Sequence, residues 1–243
     1  MAVERIQYQA GKVVSSGALI YDESVKGERP LLLMAPNWLG VTQHAIERAA
    51  SMAGSQYVAF VADMYGGGKI PAGPPEAGPL ADGLRADAPE RRRRIGAALE
   101  ALRNESSKRK IGDLKYQAAA GFCFGGGNVL ELARSGADVQ AVICLHGDLV
   151  TPLPASAGDI KAAICVMHGS KDPVVPKKDR DIFELEMEAS GAKWQMLVFG
   201  GLLHSFCEAE SDVPGIACYD PGAASQCFSM IDSFATAAFE GKL

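Results

Sequence analysis

No Cys-x-x-Cys pair occurs among the six cysteines of this 243-residue chain. Zinc-ribbon and thioredoxin-type readings therefore lack support. The four histidines stand at no metal-ligand spacing from a carboxylate, so neither a metal nor another cofactor is called for. No apolar run approaches the ~20 residues of a membrane span, and Met1 to Gln7 holds no apolar core of signal-peptide length. Net charge is only −5, which supplies no overall attraction for nucleic acid or an anionic membrane. No internal repeat is present. What remains is a globular composition, 48% hydrophobic and 22% charged, without a disordered tail or fibrous repeat. It points to a soluble cytoplasmic protein, monomer or homodimer, whose partner is a small molecule.

Short apolar runs alternate with helical patterns, the mark of βαβ units and a parallel sheet. Chains of about 250 residues commonly form one such unit, so residues 1–243 are expected as a single α/β domain. Lys12 to Tyr21 reads as an early antiparallel edge strand, and Leu31 to Ala35 and Tyr57 to Ala62 as buried strands flanking a helix from Val41 to Met52. A helix follows Glu90 through Leu102, and Val139 to Leu145 is another strand. The helix Lys178 to Ala189 stops at Ser190-Gly191, and Ala224 to Glu240 is a last helix on the sheet. Two segments break the pattern. Gly66 to Pro89, with the run Gly66-Gly67-Gly68 and five prolines, is too broken for a continuous element and is a candidate rim or lid, or an ordinary loop. Ser205 to Ala223 is a second loop, whose Glu208, Glu210 and Asp212 would make a rim negative. Cys144 and Cys165 lie inside strand patterns, whereas Cys207, Cys218 and Cys227 lie in or near this second loop, where a pair could meet.

The chemistry is concentrated in Gly121-Phe122-Cys123-Phe124-Gly125-Gly126-Gly127, between the apolar run Tyr116 to Ala120 and a helical stretch ending at Arg134. This is a nucleophile elbow, G-x-S-x-G, with cysteine in the serine position. A strained strand-to-helix turn needs residues without side chains where backbones pass closely. It also aims the Phe124 N–H, at a helix N-terminus, toward the reacting atom, where negative charge is favoured and a thiol is acidified. Downstream, the run Ala162 to Met167 leads into His168-Gly169-Ser170-Lys171-Asp172-Pro173, making Asp172 the acid candidate. Trp194 to Phe199 then runs into Gly200-Gly201-Leu202-Leu203-His204-Ser205-Phe206, making His204 the base candidate. Nucleophile, acid and base in that order follow the α/β-hydrolase arrangement.

With these stretches, and with Asp63-Met64-Tyr65-Gly66 after an earlier strand, the chain resembles the dienelactone hydrolase family. The resemblance implies an α/β-hydrolase fold, a mostly parallel sheet with helices on both faces, and a Cys-Asp-His triad of Cys123, Asp172 and His204. It also implies that the Trp38 N–H is the second oxyanion donor beside Phe124. Asn37 and Phe206 are the expected substrate-binding positions. Two departures stand out. Members acting on dienelactone carry a glutamate where this chain has Asn37, and an arginine for the substrate carboxylate where it has Cys207-Glu208. Both argue for a substrate other than dienelactone.

Other charged and histidine positions fit plainer roles. Four consecutive arginines, Arg91 to Arg94, must spread around a helix. Most are expected in solvent, with one inward-pointing member as the alternative, a role that related enzymes give to an arginine pairing with a substrate carboxylate. Lys108-Arg109-Lys110 reads as a surface turn. His168 and His146 end strands and suit structural roles, although His146 is also placed to line a pocket, and His44 suits a cap or the surface. The expected activity is hydrolysis of a small ester or lactone through a cysteine thioester, starting from a Cys123–His204 ion pair. The alternatives are a non-catalytic ligand-binding or redox-sensing protein on the same fold, and an acyltransferase using the same triad.

Overall fold

The computed structural model describes all 243 residues. Its first two strands, β1 (Ala2–Ala10) and β2 (Val13–Tyr21), pair antiparallel, with Ala10 opposite Val13. Gly11 makes the tight turn at φ 62°. The antiparallel strand expected from Lys12 is thus β2, but the edge belongs to β1, which the sequence reading omits. Alternate residues of β1 are half-buried, and they are Ala2, Glu4, Ile6 and Tyr8. Polar Glu4 on the inner face hides the two-residue period that marks a strand.

The chain continues through β3 (Arg29–Ala35), α1 (Gln43–Ala53), β4 (Val58–Val61), α2 (Pro74–Ala86), α3 (Ala88–Arg109), β5 (Gly112–Phe122) and α4 (Phe124–Arg134). It ends with β6 (Ala141–Leu145), β7 (Ala163–Gly169), α5 (Lys177–Ser190), β8 (Trp194–Phe199), the two-residue strands β9 (Asp212–Val213) and β10 (Ala217–Cys218), and α6 (Pro221–Phe239). Eight strands form one sheet in the order β1-β2-β4-β3-β5-β6-β7-β8, and every pairing beyond β2·β4 is parallel. Strands β4, β6 and β7 are buried at every residue, as expected when helices cover both faces. On one face Leu84 of α2, Ile95 and Leu102 of α3, Val129 of α4 and Phe183 of α5 pack on the sheet. On the other, Ile46 of α1 and Ile231 and Phe234 of α6 do so.

Two expectations need correction. The segment Gly66 to Pro89 is not irregular, because α2 occupies thirteen of its residues. Pro74 and Pro75 fill the first two helical positions, where an N–H has no intrahelical acceptor in any case, and only Pro79 forfeits an internal bond. Ala77, Ala81 and Leu84 turn inward at helical spacing. Lys108 and Arg109 belong to the last turn of α3, with Lys110 as its left-handed cap at φ 56°. No helix is long and apolar enough to cross a membrane.

Candidate active site

At the end of β5 the backbone of Cys123 takes φ 52° and ψ −122°, a region that non-glycine residues seldom occupy. A Cβ on Gly121 would stand 2.1 Å from the Gly125 carbonyl oxygen, and one on Gly125 2.0 Å from that of Ala35. The two motif glycines are therefore steric requirements of the elbow. Phe124 is the first residue of α4, so its N–H has no carbonyl one turn back. The Cys123 N–H itself points inward, to Leu145 O at 3.0 Å and His146 Nδ1 at 3.2 Å.

The turn after β7 brings Asp172 to the same end of the sheet. Its Oδ1 accepts from the N–H groups of Val174 (2.8 Å) and Val175 (3.0 Å), and His168 Nε2 bonds Val175 O at 2.8 Å. Oδ2 is left for His204 Nδ1, 2.7 Å away. His204 Nε2 lies 3.1 Å from Cys123 Sγ. His204 is pinned by the small hairpin that follows it, donating to Ile216 O at 3.0 Å and accepting from Cys218 N at 3.2 Å. Burial works against a charged ring here, but its interactions with Cys123 and Asp172 outweigh it and push His204 up to about 10. Cys123 retains 9% of its surface and His204 6%, so both are nearly enclosed.

His146, fully buried, packs edge-on against His204 with ring centroids 5.4 Å apart. Burial, reinforced by the charges of His204, Arg48 and His168, holds it well below the usual histidine range. It therefore stands neutral behind the elbow and does not line a pocket. Asp63 is structural too, since it gathers the N–H groups of Ser16, Tyr65, Gly66 and Gly68 at the end of β4.

After β3, the Asn37 Oδ1 accepts from Leu39 N at 3.0 Å and its Nδ2 donates to Glu208 Oε1 at 2.6 Å. The Trp38 N–H donates to no acceptor within the protein, while Trp38 O accepts from Tyr65 Oη at 2.7 Å. Tyr65 stacks on Phe124 at 5.8 Å. Three expectations change here, and the open question of a cysteine pair is answered. Phe206 is 0% exposed and packs on Phe199 and His146, because Ser205 at φ 52° turns it into the core and away from a substrate. The amide of Asn37 is engaged at both ends by the protein. Glu208 is no rim residue, being 4% exposed and paired with Arg48 at 2.8 Å; only Glu210 and Asp212 of that trio reach solvent. Cys207, Cys218 and Cys227 are free thiols, with Cys207 and Cys227 buried side by side.

The arginine run also differs from expectation. Arg91 is buried on Asn128, Phe124 O and Asp148, Arg92 bonds Glu131, and Arg94 caps Met64 O and Tyr65 O. Only Arg93 is exposed. Another arginine beside the elbow is Arg85, in the last turn of α2. Its guanidinium lies over the Phe124 ring at 5.4 Å and shares Asp148 Oδ2 with Arg91 at 3.0 and 2.8 Å. Burial would raise Asp148, but Arg91 and Arg85 overcome it and hold the carboxyl below its ordinary range. Sequence reasoning missed both residues. The spacing Ala77–Ala81–Leu84 was the available signal for the helix carrying Arg85, and the end of a strand the signal for Asp148.

Comparison with known proteins places this geometry. The dienelactone hydrolase family matches over residues 17–238. Among solved structures, the protein named m3DLH is 33% identical, with a TM-score of 0.90 and 98% of each chain covered. A dienelactone hydrolase-like promiscuous phosphotriesterase from metagenomic libraries is 32% identical, with a TM-score of 0.87 and 97% of each chain covered. An esterase from the Planctomycetes species Thermogutta terrifontis shares the fold at 17% identity and a TM-score of 0.63, with 96% of this chain and 93% of that one covered. No curated protein matches. An eight-stranded sheet of this order, an elbow at the end of β5 and a family match over most of its length together make this chain a member of the dienelactone hydrolase family, an α/β hydrolase.

Proposed function

We propose that the protein hydrolyses small carboxylic esters or lactones through a Cys123 thioester. The observation that carries this reading is the line Asp172 Oδ2, His204, Cys123 Sγ, with separations of 2.7 and 3.1 Å. The Cys123 thiolate attacks the carbonyl carbon, and the oxygen, now negative, is held by the N–H groups of Phe124 and Trp38. Loss of one such donor typically costs ~10² to 10³ in rate. His204, oriented by Asp172, protonates the departing alkoxide and then takes a proton from the water that cleaves the thioester. Asp172 keeps its charge throughout.

The acyl group is small, in keeping with how little of Cys123 and His204 is exposed. A substrate carboxylate finds no free arginine at the Glu208 end, because that position is a buried acid and Arg48 beside it is committed to it. Thiolate leaves a tetrahedral intermediate more readily than an amine does, so esters, lactones and thioesters are favoured over amides. A second substrate class, phosphotriesters, is worth assaying because a relative 32% identical over 97% of both chains is described as a promiscuous phosphotriesterase.

Hydrolysis of short p-nitrophenyl esters tests the reading. The wild type is expected to be active, and Cys123→Ala and His204→Ala each to lose ~10³-fold or more, with the double variant little worse, since members of such a unit are not additive. Activity surviving in Cys123→Ala would show that the elbow thiol is not the nucleophile. Added alcohols or thiols that divert the acyl group from water would identify a transferase.

A further inference from the structure

The two positions that depart from the family pattern, Asn37 and Glu208, are 171 residues apart in sequence and in contact in the fold. Glu208 Oε1 accepts from Asn37 Nδ2 at 2.6 Å and from Arg48 Nη1 at 2.8 Å. Arg48, on α1, lays its guanidinium over the Phe122 ring, 4.7 Å from the centroid. Phe122 immediately precedes Cys123. One carboxylate oxygen thus ties together the turn carrying Trp38, the elbow strand and the segment that follows His204.

We propose that Asn37, Glu208 and Arg48 form a brace that positions the Trp38 N–H as an oxyanion donor against Cys123. The proposal rests on the hydrolase reading above. Its first support is local. Asn37 Oδ1 holds Leu39 N at 3.0 Å, and Asn37 O holds Gly40 N at 3.1 Å. These bonds curl the chain around Trp38 and leave its N–H as the unpartnered donor between them. An Asx turn of this kind fixes backbone direction only while the side chain itself is fixed. Glu208 does that by holding the other end of the amide.

The second support is energetic. Buried ion pairs are often no more stabilising than apolar residues of similar volume. What this pair supplies, where three segments of the site converge, is fixed geometry. The chemistry also excludes the alternative polarity. A glutamate at position 37 would set two carboxylates against each other, whereas an asparagine donates to Glu208 and leaves Arg48 as the single counter-charge. Asn37 and Glu208 are therefore a matched exchange. Neither touches the reacting atoms in this role, and both are positioning residues.

The test compares Asn37→Ala, Glu208→Ala, the double variant and Glu208→Gln on p-nitrophenyl acetate, with folding checked by thermal melting and Cys123 alkylation by iodoacetamide measured alongside. Weakening one oxyanion donor should lower kcat by roughly 10- to 100-fold, with KM within about twofold. The double variant should be no worse than the worse single one. Glu208→Gln, which keeps an oxygen for Asn37, should retain more kcat than Glu208→Ala. Alkylation rates should match wild type, because the thiolate and His204 are left in place. Unchanged kcat in folded alanine variants, additive losses, or alkylation that falls in step with kcat would each overturn the brace. If the unaltered protein hydrolysed no ester at all, the hydrolase reading would fail and take the brace with it. An active wild type beside unaffected variants would sink the brace alone.

Discussion

At Gly121 and Gly125 the side chain is a single hydrogen because the adjoining backbones leave no room for a carbon. A methyl group 2.1 Å from the Gly125 carbonyl oxygen cannot be relieved by turning a rotamer. Gly121→Ala is expected to cost roughly 3 kcal/mol or more, visible as a lower urea midpoint or loss of soluble protein; a midpoint equal to wild type would contradict the steric account. His204 provides the pH-dependent counterpart. Its folded value of about 10 exceeds an unfolded value near ~6.5. A base held charged in this way adds stability that is complete below the unfolded value and is lost as pH rises through the folded one. The melting-temperature advantage of wild type over Cys123→Ala should therefore shrink between about pH 6.5 and about pH 10. An advantage that grew with pH would contradict the ion pair.

Elements differ in how well their residues announced them. The helix α5 ends where Ser190-Gly191 suggested, with Gly191 at φ 71°, and α6 is capped by Asp220 accepting from Ala223 N at 2.8 Å. The helix α2 was obscured by its prolines, since three of them fall within thirteen residues and local propensity argues against a helix there. Packing of Ala77, Ala81 and Leu84 outweighs that preference. Because α2 was unseen, Arg85 was unseen with it, and attention fell on Arg91 to Arg94 instead. Not every glycine in a helix is constrained as those of the elbow are. Gly96 in α3 has open space where a Cβ would sit, so Gly96→Ala should stabilise the protein by about 0.5 to 1 kcal/mol. Gly127 would meet Arg91 Nη2 at 2.4 Å and Asp148 Oδ2 at 2.8 Å, and its alanine variant should lose stability. Paired urea titrations of the two variants would check both signs; a destabilised Gly96→Ala would contradict the open position.

For the whole molecule, parallel strands covered on both faces bring the carboxyl ends of β3, β5 and β7, and the loop after β8, to one edge. Cys123, Asp172 and His204, the proposed nucleophile, acid and base, converge there although Cys123 and His204 are 81 residues apart in sequence. The same convergence places Arg85 and Asp148 on one side of the nucleophile and the Asn37–Glu208 pair among the segments of the site. An internally neutralised acid and a shared arginine support the proposal of a small, neutral acyl group. Matched ester and amide substrates would test the thiol chemistry at this scale. The ester should be cleaved faster, and faster amide cleavage would overturn the leaving-group argument.

The motif residues were legible because their chemistry is local. A glycine on each side of Cys123, an aspartate just past one strand and a histidine just past the next were enough to identify the family and its order of elements. The alternation of apolar runs with helical patterns likewise indicated the parallel sheet. Contacts between distant segments were decided only in three dimensions. Phe206 and Glu208 both follow His204 and both looked available to a substrate, yet Ser205 turns one into the core, and Arg48 of α1 claims the other. Sequence spacing describes what lies along one strand or helix, whereas the fate of a side chain in a loop depends on which element arrives opposite it.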